Sequence, residues 1–301
     1  MPNTSRSAEP KRPADIGRVL VVGGSGKLGR LLRLAWNAAG QGGLAWQDRR
    51  VGPLVFDPLA ESERFAAAAE GTDAILNLAG PTGGDAKALE VHTDLALAAL
   101  QAGRDAGAGR VFLVSSAAVY GAPTGPASEV TALSPLADYG RAKQEMEQRA
   151  WGWRATAGPI PPEMTILRIG NVAGADQLLG AVPRAEPQAL DLFADGRGPA
   201  RSYIGPLALA RVLAALFAMS RKGQALPEVL NVALDGTVRM DELLDADGRD
   251  WRARPAPETL PREVALDVAR LRGLVSWLPR AEAGQVAADY RAVVAKGEGT
   301  R

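Results

Sequence analysis

Two rhythms of apolar and polar positions alternate along this chain. Short apolar runs rich in β-branched residues read as buried strands; longer stretches with apolar residues three and four apart read as amphipathic helices. RVLVV (18–22) is followed by GRLLRLAWNAA (29–39), where Leu31, Leu32, Leu34, Ala35 and Trp36 keep helical spacing and Gly40 marks the stop. Further strands are expected at 43–47, 54–57, 73–80, 110–116, 164–172 and 228–234, and helices at 61–71, 85–107, 138–151 and 207–223. This alternation predicts an α/β protein with a mostly parallel, doubly wound sheet. The remainder is less regular: a short helix at 240–248, a Pro- and Arg-rich connector at 252–261, a strand or turn at 264–273 and a final helix at 281–296.

With 301 residues the chain can hold one extended domain, or a main domain with a small second lobe. Its 35 basic and 34 acidic residues give a net charge of +1, which makes no electrostatic case for nucleic acid or an anionic membrane. Cysteine is absent, which excludes disulfides, thiolate metal sites and a cysteine nucleophile. His92 is the only histidine, so a His-rich metal site is excluded, and no GxSxG elbow frames a serine for a triad. No apolar run approaches the ~20 residues of a membrane span. The first fifteen residues are polar and lack the apolar stretch of a secretory signal, so a flexible tail (1–15) and a cytoplasmic protein are expected.

The first strand runs into GGSGKLG, with Gly23, Gly26 and Gly29 at GxxGxxG spacing before a helix. Strand, glycine turn and helix are what a dinucleotide needs: a tight turn, close approach of backbone to pyrophosphate, and free N–H groups at the helix start. Ser25, Lys27 and Leu28 belong to the same turn, and Leu78, Ala79 and Gly80 close the fourth strand. The expected cofactor is NAD or NADP. An acid after the second strand favours NAD and an arginine favours NADP, and the run Gln47, Asp48, Arg49, Arg50 offers both, with Lys27 adding some weight to NADP. The expectation is a Rossmann-like doubly wound parallel sheet with a small C-terminal substrate lobe. Residues 16–171 plus 204–234 would form the dinucleotide-binding domain, and 172–203 plus 235–301 the lobe.

Tyr139 and Lys143 lie four apart in DYGRAKQEME, on one face of the expected helix, and SSAAVYG upstream offers Ser116 at a strand end. An ammonium beside a phenol stabilises the phenolate and lowers its pKa, which would make an acid/base unit, with the serine hydroxyl on the same substrate oxygen. Alone, Tyr and Lys at this spacing occur on many helices. Gly23, Asp57, Gly80, Ser116 and Asn171 all fall at strand ends, where open α/β sheets bind ligands.

The ordered set GGSGKLG, FDPL, NLAG, SSAAVYG, YGRAK, RIGNVAG and GRGPARSYI resembles the extended short-chain dehydrogenase/reductase family, in particular its NAD-dependent epimerase/dehydratase group, across about 18–240. The resemblance implies Tyr139 as general acid/base, Lys143 on the nicotinamide ribose, and Ser116 on the reacting oxygen, with Ser115 structural. It implies Asp57 on the adenine, Asn171 near the sugar or its phosphate, and Arg201 on a substrate diphosphate. Where a 4,6-dehydratase carries an Asp–Glu pair this chain has Ala117 and Ala118, so dehydration is not expected. His92 falls where many relatives have an Asn, and reads as a packing or water-binding residue. The expected function is NAD(P)-dependent epimerisation of a nucleotide-sugar-like substrate through a transient ketone. The alternatives are one-way reduction of a keto-sugar or small carbonyl, and a non-catalytic NAD(P)-binding regulator. A homodimer through the Ala-rich outer faces of the helices at 85–106 and 138–151 is expected from family habit.

Overall fold

The computed structural model describes residues 15–180 and 187–298; the expected tail thus lies outside the described residues except for Asp15. In chain order the elements begin β1 (Val19–Val22), α1 (Lys27–Ala38), β2 (Leu44–Asp48), β3 (Leu54–Val55), α2 (Ser62–Ala69), β4 (Ala74–Asn77) and α3 (Ala86–Ala106). They continue with β5 (Arg110–Ser116), α4 (Asp138–Thr156), β6 (Glu163–Ile169), β7 (Asn171–Val172), β8 (Gln188–Leu192), β9 (Ala200–Arg201), β10 (Tyr203–Ile204) and α5 (Pro206–Arg221). Last come β11 (Val229–Val232), β12 (Val238–Arg239), α6 (Met240–Asp247), β13 (Trp251–Pro255), β14 (Glu263–Val264), α7 (Ala269–Leu274) and α8 (Ala283–Glu298).

Seven strands form one parallel sheet in the order β11-β6-β5-β4-β1-β2-β3. The order reverses between β1 and β4, which opens a crevice at their carboxyl ends. Alternate strand residues face opposite sides, so the run Val19–Val22 serves two cores. Val19 and Val21 join Leu76, Phe112 and Leu167 under α1 and α5, through Leu32, Trp36, Leu213 and Phe217. Leu20 and Val22 join Ile75, Leu113 and Ile166 under α2, α3 and α4, through Phe65, Leu100 and Met146. Val286, Ala287 and Val293 of α8 pack into the first of these cores.

The chain after β6 departs from the simple pattern. The single strand expected at 164–172 breaks at Gly170: β6 stays in the main sheet while β7 pairs with β10. A Cβ on Gly170 would press on the Ser202 carbonyl, so the glycine permits that crossing. The connector expected at 252–261 instead begins with β13, which pairs in parallel with β8, and Arg254 of β13 meets Asp191 of β8 in an exposed ion pair. The strand or turn expected at 264–273 is only β14, followed by helix α7, which buries Leu271 and is flanked by the buried Val268 and Val275. β9 pairs with both β12 and β14. No helix among the described residues is long and apolar enough to cross a membrane.

Candidate active site

The glycine turn is pinned between two strand ends. The Gly23 N–H donates to Gln47 Oε1 at 3.0 Å and the Gly24 N–H to the Gln47 carbonyl at 2.9 Å. Gly23 has φ +90°, and a Cβ there would overlap the backbone of Ala79. A Cβ on Gly29 would overlap the carbonyls of Gly23 and Gly24, so this glycine lets α1 sit directly on the turn rather than lining a cavity. Gly26 caps α1 without any side-chain hydrogen bond. The first-turn N–H groups and the positive end of the helix dipole therefore remain available to an anion.

Ser25 and Gly26 border a cavity of about 630 Å³, together with Arg49, Asp57 and the turn Leu78, Ala79, Gly80. Leu59, Val91 and Leu95 give it apolar walls. Free helix N–H groups at one end and an apolar slot at the other fit a dinucleotide, whose pyrophosphate the turn would hold and whose adenine the apolar walls would flank. The Leu59 N–H bond to Asp57, at 3.0 Å, lowers that carboxyl's pKa, and Arg49 at 3.1 Å adds to the effect. Asp48 does not border the cavity; it is 2 % exposed and paired with Arg33 at 2.8 Å. Gln47, Val91 and Leu95 were not foreseen. The two apolar residues are a helical turn apart on α3, and that spacing was the available signal.

β5 delivers Ser116 at its end, where the serine Oγ accepts from the Ala118 N–H at 3.2 Å and starts a 3₁₀ turn over Ala117–Tyr120. The first turn of α4 delivers Tyr139. Both border a second cavity of about 360 Å³, together with Lys27, Leu28 and Asn171. A hydrogen bond with Ser116 lowers the Tyr139 pKa, but burial outweighs it, so the pKa lies above that of an ordinary tyrosine. This corrects the expectation of a tyrosine made more acidic by its lysine. The reason is geometric: Lys143 Nζ donates to the Val114 carbonyl at 2.8 Å and lies 5.9 Å from the centre of the Tyr139 ring. Burial brings the Lys143 pKa down to about 7, with Glu147 opposing.

Behind this trio lies a buried polar network. Ser115 donates to Glu147 at 2.5 Å, and Arg168 of β6 pairs with Glu147 at 2.6 Å. Arg168 also donates to the Tyr120 hydroxyl at 2.9 Å, which in turn donates to Asn231 at 2.8 Å. β5, α4, β6 and β11 are thereby locked around the lysine. His92 is buried, and its ring stands edge-on to Tyr139 with centroids 5.7 Å apart. Its Nε2 lies 2.8 Å from the Pro81 carbonyl, which can only accept, so this nitrogen carries the hydrogen. Burial, aided by Lys143, lowers its pKa to about 4, which makes it a neutral packing residue near pH 7.

A third, smaller cavity of about 240 Å³ shares Ser116 and Asn171 with the second and adds Arg201. Arg201 is half-buried; its Nη1 donates to the Ala200 carbonyl at 2.8 Å, and its pKa is lowered by burial. Asp176, also unforeseen, borders the second cavity. Its position five residues after Asn171, just past a strand end, was a faint signal. No group of three potential metal ligands occurs among the described residues.

Residues 19–232 match the family described as NAD dependent epimerase/dehydratase family. No curated protein matches the chain. Among solved structures, a UDP-glucose-4-epimerase from Stenotrophomonas maltophila, with bound NAD and formylated UDP-arabinopyranose, aligns at TM-score 0.73 and 20% identity, covering 94% of this chain and 99% of that one. A UDP-N-acetylglucosamine 4-epimerase from Methanobrevibacter ruminantium M1, in complex with UDP-N-acetylmuramic acid, aligns at 0.72 and 17%, covering 95% and 99%. A dTDP-glucose 4,6-dehydratase from Streptomyces venezuelae, with NAD and TYD bound, aligns at 0.67 and 22%, covering 91% and 97%.

Proposed function

The chain belongs to the NAD dependent epimerase/dehydratase family, and on that premise we propose that it epimerises a nucleotide-sugar-like substrate by oxidising and re-reducing one carbinol carbon. The observation that carries this reading is the meeting of Ser116 and Tyr139 on one cavity, with Lys143 buried against the tyrosine ring and the glycine turn alongside. When bound, the nicotinamide dinucleotide accepts and returns the hydride.

The chain's own residues handle the proton. As a phenolate, a state that its burial opposes and a neighbouring positive charge must favour, Tyr139 takes the hydroxyl proton of the substrate as the carbinol is oxidised and returns it as the ketone is reduced. Ser116 holds the same oxygen, and Lys143, with a pKa of about 7, exchanges protons readily near neutral pH. Arg201 suits the diphosphate, because a half-buried guanidinium presents its donors as a planar fork. Between hydride removal and return the ketone turns over, which inverts the carbon. Ala117 and Ala118 line the neighbouring cavity with methyl groups only, so elimination of water finds no acid/base there. We assign the cofactor as NAD or NADP: Arg49 borders the cavity, while Asp48 is committed to Arg33.

One observation favours a second reading, one-way reduction. Burial raises the Tyr139 pKa, which favours the protonated phenol as a donor to a carbonyl, and its ring borders the cavity beside Ser116. Cofactor balance separates the two. With UDP-, GDP- and dTDP-hexoses and sub-stoichiometric cofactor, the epimerase reading expects a new sugar stereoisomer by NMR and no net change in reduced cofactor. Stoichiometric consumption of NADPH with a keto-sugar would instead establish the reductase.

A further inference from the structure

The mechanism above makes no use of Asp176, a carboxylate set into the wall of the cavity that holds Ser116 and Tyr139. Its placement is specific. Tyr203, fully buried, donates its hydroxyl to Asp176 Oδ2 at 2.9 Å, and the Leu179 N–H donates to Oδ1 at 2.9 Å. Asn171, which borders the same cavity, hydrogen-bonds Tyr203. Burial raises the carboxyl's pKa, and the influences that hold it down are hydrogen bonds alone. Among the described residues no lysine or arginine pairs with it, and the donors that meet it there are neutral.

Two oxygens offer about four acceptor positions; the two 2.9 Å bonds take one on each oxygen, and the backbone N–H groups of Gly174 and of Asp176 itself also favour the carboxylate, so what the side chain has left to offer faces the cavity it borders. The cavities are also polarised. Arg201 lies in the adjoining space, and Ser116 and Asn171 belong to both. A cation therefore stands at one end and an uncompensated anion at the other. A molecule with a diphosphate and a polyhydroxylated ring matches that polarity when the diphosphate meets Arg201 and the ring hydroxyls meet Asp176.

We propose that Asp176 reads the sugar end of the substrate: it accepts hydrogen bonds from hydroxyls of a neutral sugar and repels a sugar carboxylate, so the chain selects neutral nucleotide sugars over nucleotide uronates. This rests on the nucleotide-sugar reading above. The physical basis is that a half-buried carboxylate rewards a hydroxyl, whereas a second carboxylate brought against it in a confined cavity repels it. The turn around Asp176 does not need the charge. An asparagine there retains an acceptor for the Leu179 N–H, and the Tyr203 hydroxyl can reorient to accept from its amide.

The test is calorimetric binding to the cofactor-loaded protein of UDP-glucose against UDP-glucuronic acid, and of dTDP-glucose against its uronate, for wild type and Asp176→Asn. On whichever nucleotide binds, the neutral sugar is expected to bind about 100-fold tighter to wild type. The variant should narrow that gap at least about tenfold, mainly by gaining affinity for the uronate, with thermal unfolding little changed. Equal affinities in wild type, or a gap that survives in a folded Asp176→Asn, would overturn the assignment. Because the wild-type comparison needs no variant, a misfolded mutant does not rescue the idea. If no nucleotide sugar of either kind binds, the nucleotide-sugar reading itself falls, which is a different result from binding without discrimination.

Discussion

Lys143 carries a charge that burial makes costly. Its ammonium is buried, donates to one carbonyl, and has a pKa drawn down from 10.5 to about 7. Between those two values the unfolded chain binds a proton that the folded chain has released. Stability should therefore rise as pH climbs from about 7 towards 10.5, and this contribution is lost as pH falls through the folded value. Urea midpoints for wild type should slope upward across that window, and those of Lys143→Met should be flatter; equal slopes would mean the lysine is better solvated than its burial indicates. The proximity of Ser116 and Tyr139 on one cavity, with Lys143 a helical turn on, was legible in the sequence because a local spacing and a strand end bring them near one another. The direction of the Tyr139 shift was not, because it depends on burial and on where the Lys143 nitrogen finds its acceptor. Asp176 and Glu147 were illegible as site residues for a similar reason: their partners, Tyr203 and Arg168, lie 27 and 21 residues away.

At the scale of elements, two carboxylates hold strands and helices in place. Glu147 and Arg168 form a buried pair joining α4 to β6, with Ser115 bringing in β5. Removing one partner leaves an uncompensated buried charge, so Arg168→Met should cost about 3–5 kcal/mol in equilibrium denaturation. A loss below about 1 kcal/mol would show that the pair is not a structural tie. Asp289 of α8 caps α5, accepting from the Leu207 and Ala208 N–H groups at 2.7 and 3.0 Å. It provides the cap from far along the chain, since α5 begins in the run GPLALA without an acid of its own. The β-α alternation from β1 through β11 was readable because its strands are apolar runs and its helices keep their period. The small sheets were not. β7, β9, β10, β12 and β14 are two residues each and exist through pairing with distant segments, and β13 hides two arginines and a proline in a stretch that looks like a linker.

For the whole molecule, the sheet order places the glycine turn, Ser116 and Asn171 at one edge, where two cavities share Ser116 and Asn171 and a third, bordered by Ser25 and Gly26, adjoins the one that Lys27 borders. The opposite expectation, Ala-rich outer faces on α3 and α4, does not describe the surface. Ala96, Ala99, Ala102 and Ala150 are buried inward, and the groove between the outer faces is bordered by Glu90, Asp94, Arg141, Glu145 and Arg149. A homodimer through these helices would thus have a charged interface. Light scattering should then give a dimer at low ionic strength and a growing monomer share towards about 1 M salt; a monomer throughout removes this assembly. The central claim is that the Tyr139 hydroxyl moves the substrate proton beside a bound dinucleotide. It is tested most directly by Tyr139→Phe, comparing turnover of an active nucleotide sugar with cofactor affinity measured on the same samples. The expected result is turnover reduced by about 10²–10⁴-fold with cofactor affinity essentially unchanged; a variant that turns over at the wild-type rate would contradict it.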